Sequence, residues 1–155
     1  LLYTFKIMLT NHQKNLATII HLSTFSRFII PFGNFIGPIV LWLTNKEKSD
    51  FIDTHGKQAI NFQISILLYT MILGLLFVPF FLFIVFSHLD FFEINTFDGL
   101  HISLNEPSPL FILGGSLGFV AVIGFILEII FIINASIKAK DGEFYQYPFS
   151  INFIK

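Results

Sequence analysis

The chain has 155 residues, 54% of them hydrophobic and 12% charged, with a mean hydropathy of +0.76 and a net charge of -1. A soluble domain carries about a quarter charged residues, so the composition points into a membrane, and the near-neutral balance offers no basic surface for nucleic acid. With no cysteine, disulfides, thiolate metal sites and cysteine nucleophiles are excluded.

In chain order, residues 1–14 read as an N-terminal extension, since Leu1–Ile7 precede the first methionine, Met8. Residues 15–44 read as a short helical hairpin. Its descending arm is Asn15–Ile30, its tip Pro31-Phe32-Gly33-Asn34, and its returning arm Phe35–Thr44, because proline and glycine stop a helix and supply a tight turn. His21 and Arg27 interrupt the descending arm and no small-residue cleavage site follows, so no cleavable signal peptide is expected. The returning arm is about 15 Å long at 1.5 Å per residue, too short to cross a core of about 30 Å. The hairpin is therefore either re-entrant or shielded by other helices. Lipid cannot satisfy turn backbone, so the tip, with Asn34, is expected to be buried in protein and hydrogen-bonded. Trp42 suits a membrane interface.

Residues 45–57 form a loop rich in lysine. Asp53 or Thr54 is a natural N-cap for the helix that follows. Asp53 and His55 are also metal-compatible, but two ligands do not make a site. The first spanning helix is expected over 58–87, with an uncharged run from Ala59 to Phe86 and a polar stripe of Gln58, Asn61, Ser65 and Tyr69. Pro79 predicts a kink near Gly74–Pro79. An outer loop, 88–108, carries Asp90, Glu93, Asp98 and Glu106 and no lysine or arginine; its His88 and His101 match no metal spacing.

The second spanning helix is expected over 109–138, with Glu128 its single charge before the lysine-bearing end. At 100° per residue, Gly114, Gly118, Ala121, Phe125, Glu128, Ile132 and Ser136 share one face. Small residues there allow another helix to approach closely, and Gly115 lies about 100° from Gly114, so a second face is open to packing. A carboxylate at this depth is a functional hypothesis by default. Arg27, Ser65 and Tyr69 are its candidate partners, and the plain alternative is a structural hydrogen bond or ion pair. Gly114-Gly115-Ser116-Leu117-Gly118 satisfies G-x-S-x-G, but a nucleophile elbow needs a strand, a strained turn and a helix, so the match reads as packing. The tail, 139–155, with its tyrosines and phenylalanines, is expected to fold back along the bundle.

Lysines before the hairpin, in the 45–57 loop and after the last helix, against none in the acidic loop, place both termini in the cytoplasm and the acidic loop outside.

His21-Leu22-Ser23, Ile30-Pro31-Phe32-Gly33-Asn34, Gly37-Pro38, Trp42-Leu43, the run Asp53–Gln63 and Gly142–Pro148 together resemble a family of small bacterial membrane proteins of unknown function. That family is grouped with the chloroplast inner-envelope protein-import component and with magnetosome-membrane proteins of the MamF and MmsF type. The resemblance implies no catalytic residues. The reading is an all-α integral membrane protein of the bacterial inner membrane: a short hairpin plus two long transmembrane helices, both termini cytoplasmic, forming a single domain over 15–155. The function expected is a non-enzymatic accessory or scaffold subunit of an inner-membrane complex, in protein translocation or envelope machinery. Alternatives are a small oligomeric channel or carrier using Glu128 and Arg27, and an intramembrane serine hydrolase at Ser116. Lipid and other membrane subunits are the expected partners, with no cofactor, no metal and no soluble substrate.

Overall fold

The computed structural model describes residues 9–87, 94–95, 99–100 and 109–155. The first eight residues and the loop residues His88, Asp90, Glu93, Asp98, His101 and Glu106 lie outside the described residues. Among the described residues there are four α-helices: α1 (Asn11–Leu22), α2 (Gly33–Leu43), α3 (Asp50–Ser87) and α4 (Pro109–Asp141). A 3-10 segment, Ser23–Phe28, continues α1. Between α3 and α4, two-residue strands β1 (Ile94–Asn95) and β2 (Gly99–Leu100) pair antiparallel, with Ile94 opposite Leu100.

α1 starts four residues before the apolar stretch that marks it. Thr10 Oγ1 accepts from the Gln13 N–H at 3.2 Å and Gln13 Oε1 from the Thr10 N–H at 2.9 Å, a capping box that satisfies two helix-end donors reciprocally. The switch to 3-10 geometry also has a local cause. The hydroxyls of Ser23, Thr24 and Ser26 bond back to the carbonyls of Ile20, His21 and Ser23 at 2.6–2.7 Å, and such bonds compete with the helical ladder. The tighter winding, three residues per turn, aligns Thr24 and Arg27 one above the other. The chain then turns through Phe32, which holds the left-handed conformation (φ 59°), and α2 folds back on the 3-10 segment. Gly33 and Gly37 permit that approach: a Cβ would stand 2.3 Å from the Ser26 carbonyl oxygen at Gly33, and 2.7 Å from that of Ser23 at Gly37.

The start of α3 corrects the expected cap. Ser49, extended at φ -171°, takes that place; its hydroxyl accepts from the Phe51 N–H at 3.2 Å and its carbonyl from the Asp53 N–H at 3.0 Å. Asp53 and Thr54 lie inside the helix, and the expected 45–57 loop shortens accordingly. The Asp53 carboxylate instead receives Trp42 Nε1 at 2.8 Å and Lys57 Nζ at 2.5 Å. Gly56 lets the indole lie on the bare helix backbone, where a Cβ would come within 2.1 Å of it.

The described residues fall into two compact units, 9–68 with 127–155, and 69–126. In the first, α1 buries Leu16, Ala17, Ile20 and His21. Leu16 and Ile20 pack with Ile52 and Ala59 of α3, and Ala17 with Phe51 and Ala139. A third cluster joins Phe62, Ile132 and Ala135 to Tyr147 of the tail. In the second unit, apolar side chains stand outward, Leu75 at 73% and Phe119 at 67% exposure. α3 continues through Pro79. Both α3 and α4 are long and apolar enough to cross a membrane, and the most apolar 18-residue windows are 0% and 11% buried. A soluble core helix of that hydropathy would be covered; these are uncovered, which suits lipid.

Adding a methyl at Gly56 is expected to displace the only tryptophan of the chain. Gly56→Ala should lower stability by about 1–3 kcal/mol through overpacking and shift Trp42 emission. Gly74→Ala, where a Cβ meets nothing within 4 Å, should leave both unchanged. Thermal melts followed by tryptophan fluorescence in detergent check the pair.

Candidate functional site

The 3-10 segment, α2, α3 and α4 each send one polar side chain to the same point. Glu128 on α4 is 6% exposed. Arg27 meets it with a two-pronged contact, Nη1 to Oε2 at 2.9 Å and Nη2 to Oε1 at 2.5 Å. Arg27 Nη2 also donates to Gln63 Oε1 at 2.9 Å, Gln63 Nε2 donates to Glu128 Oε1 at 3.3 Å, and Asn34 Nδ2 donates to Gln63 Oε1 at 2.9 Å. Bidentate guanidinium–carboxylate geometry is among the strongest polar contacts a protein makes, and Gln63 holds the pair while tying in the turn through Asn34. Of the proposed partners of Glu128, Arg27 stands there. Ser65 does not: its hydroxyl donates to the Asn61 carbonyl at 2.7 Å and accepts from the Ile151 N–H at 2.8 Å. Tyr69 belongs to the 69–126 unit.

Gln63 lies off the polar stripe that the sequence of α3 displays. Asn61 and Ser65 share one face and hold the tail, Asn61 through two bonds to the Ile154 main chain at 2.9 and 3.0 Å. Gln63, about 200° round from Asn61, serves the opposite face. α3 is sandwiched, so both faces are polar. The signal in the sequence is a glutamine within the spanning helix that falls outside the stripe of Gln58, Asn61, Ser65 and Tyr69.

Nearer the start of α3, His21, His55 and Tyr147 form a second buried chain. The Tyr147 hydroxyl lies 2.9 Å from His21 Nδ1, and His21 Nε2 lies 2.8 Å from His55 Nδ1. Burial, then Tyr145 and Glu128, hold the Tyr147 phenol well above its ordinary range, so it stays protonated and donates to His21 Nδ1. His21 Nε2 then carries the proton toward His55. Burial first and His55 second hold His21 well below 6.5. His55 Nε2 is buried, with the Glu143 main chain beside it. Phe144 stacks on His55 and Tyr147 on Phe62. Of this chain only His55 stood among the sequence candidates; Tyr147, 126 residues from His21, had no local signal. A groove of about 380 Å³, lined by Thr54, Lys57, Gln58, Asn61, Asn152 and Ile154 among others, opens beside the tail.

Of the contacts open to the glycines of the α4 face, none is made among the described residues. A Cβ at Gly114, Gly115 or Gly118 would meet nothing within 4 Å, and Ala121 is exposed. On the same face, Glu128, Ile132 and Ser136 are buried, and Ala135 and Ala139 provide the close packing. Ser116 donates to the Leu113 carbonyl three residues back at 2.8 Å. No group of three or more metal-binding side chains occurs among the described residues.

Glu128→Gln should leave Arg27 a cation without a counter-charge and lower stability by about 2–4 kcal/mol, moderated by the quarter of its side chain that is exposed. Removing both charges with Arg27→Gln in the same chain should recover much of that loss; melts of the four variants check it. For His21 the folded pKa is depressed, so the unfolded chain binds the extra proton. Stability is full above pH 6.5 and falls as pH drops through that value toward the folded pKa. Melting temperature should decline between about pH 7 and 5, and less so in His21→Asn, which has no proton to bind.

No curated protein and no solved structure matches the chain. The model of one family does, over residues 12–154, from the first turn of α1 to the end of the tail strap. The match takes in every residue of both buried polar networks, and the chain thus belongs to the MamF/MmsF family, described as the magnetosome magnetite crystal formation protein family.

Proposed function

We propose that this chain is a non-enzymatic scaffold subunit of a membrane assembly, embedded in the membrane within which magnetite crystals form. The carrying observation is the closure of the Arg27–Glu128–Gln63–Asn34 network. A carrier must present such groups to its cargo and an enzyme to its substrate; here they bond one another and lock four chain segments. The family description supports the setting. The bare glycines of α4 support the assembly, because membrane helices associate through close packing and polar contacts rather than hydrophobicity.

In this reading both termini and the lysine-rich 45–49 segment face the cytoplasm of a bacterial cell, α3 and α4 span, and no cofactor or soluble substrate is used. A small oligomeric carrier is the second reading, favoured by one feature, an ion pair at spanning depth. A hydrolase at Ser116 has less support, since that hydroxyl is turned onto its own helix.

Gently solubilised native membranes, resolved by blue-native electrophoresis, should give a species well above the 17.8 kDa monomer containing a second membrane protein at fixed stoichiometry. Gly115→Leu should weaken that species while leaving the melt of the isolated chain unchanged. A monomer with nothing co-migrating in several mild detergents would reject the subunit reading, and a pure homo-oligomer would favour the carrier.

A further inference from the structure

The turn between the 3-10 segment and α2 does not sit where the chemistry of turns leads one to expect. Pro31 is exposed, and Ile29, Ile30 and Phe32 are 84%, 50% and 75% exposed. The expectation that protein must cover this tip rested on unpaired backbone. Much of the tip's backbone is paired locally: the N–H groups of Ile29 and Ile30 reach the Ser26 carbonyl at 3.0 and 2.9 Å, and that of Gly33 reaches the Ile30 carbonyl at 2.9 Å. Those of Phe35 and Ile36 reach the Phe32 carbonyl, and the Ser26 hydroxyl lies 2.6 Å from the Gly33 carbonyl oxygen. Pro31 has no N–H to satisfy. With these polar groups hydrogen-bonded and the apolar side chains exposed, the tip suits hydrocarbon.

Phe32 adds an independent sign. It holds φ 59° and ψ 15°, a conformation that glycine or asparagine adopts at far lower cost. An aromatic side chain kept in that position and projected outward points to a use for the side chain itself.

Two lengths give the depth. α2 has 11 residues, about 16 Å, and its far end carries Trp42 with Lys46 over the indole ring at 5.4 Å, an interfacial pairing. Glu128, to which Arg27 ties the tip, lies about 15 Å along α4 from Lys138. Both place the tip near the middle of a core about 30 Å thick.

We propose that the Ile29–Phe32 tip is a wedge seated in the acyl chains of one leaflet, and that the chain therefore favours membrane that is strongly convex on that face. The hairpin enters and leaves by the same leaflet, so it adds area to that leaflet alone. A convex surface opens the packing defects that apolar wedges fill. The inference rests on the membrane reading of α3 and α4 and is independent of the scaffold role.

The chain lacks cysteine, so Phe32→Cys labelled with an environment-sensitive fluorophore reports the tip alone in the full-length protein reconstituted in phosphatidylcholine–phosphatidylglycerol vesicles. Spin-labelled lipids bearing the quencher near mid-chain should quench it most strongly, and aqueous iodide should not. Quenching by iodide, or by neither agent, would place the tip in water or against protein and overturn the proposal. Curvature preference is read separately in tethers drawn from giant vesicles, with a Lys48→Cys label and an external quencher to select orientation. Molecules whose hairpin lies in the outer leaflet should be several-fold enriched in the tether. Equal density in tether and vesicle would overturn the curvature claim. Ile29→Asn/Phe32→Asn keeps a residue that tolerates the left-handed turn and should abolish the enrichment; an unchanged Trp42 melt shows that the fold survives. Enrichment that persists in this variant would assign the effect elsewhere and overturn the wedge.

Discussion

A carboxylate set midway along an apolar helix cannot be left alone, and the first unit is organised around that constraint. Glu128 needs a cation, and the one it meets, Arg27, sits 101 residues away on a different segment. Bringing them together fixes the end of the 3-10 segment against α4. Gln63 then bridges α3 to both, and Asn34 ties the first turn of α2 to Gln63. One charged side chain thereby sets the relation of four segments. Breaking such a pair costs more than never having built it, so its value lies in specifying one arrangement rather than in net stability.

The second polar chain completes the lock from the tail. Asn61 grips the Ile154 main chain from both sides, and Ser65 takes the Ile151 N–H. These contacts recognise backbone, whereas Tyr147 supplies the side-chain anchor by stacking on Phe62 and bonding His21. An extended, proline-containing segment with no helical ladder of its own is held by side chains of α3 that would otherwise be unpaired inside the bundle.

The family match and the geometry bear on function in different ways. Membership in a family named for magnetite crystal formation supplies a setting, and the polar architecture suggests what role suits it. Arg27, Asn34, Gln63 and Glu128 are bonded to one another, as are His21, His55 and Tyr147, whereas α3 and α4 beyond the first unit, and the tip of the hairpin, present apolar surface.

Hydropathy and charge counting alone located two helices long enough to cross a membrane, since burial of about 20 apolar residues per span is a linear property of the chain. Local chemistry was legible too: a turn at Pro31-Phe32-Gly33-Asn34 follows from proline and glycine, which stop a helix. The cap of α3 was misplaced by four residues because Ser49, Asp53 and Thr54 are all capable of capping, and only the packing of Trp42 on Gly56 draws Asp53 into the helix. Gln63, Tyr147 and the His21–His55 contact depended on segments far apart in sequence, and no periodicity encodes which of two polar faces meets which neighbour. The glycines show the same division: their spacing on α4 was evident, but only the tertiary structure decided that Gly33, Gly37 and Gly56 make the close approaches while Gly114, Gly115 and Gly118 stay bare, because close approach requires a second element and the sequence of one helix does not contain it.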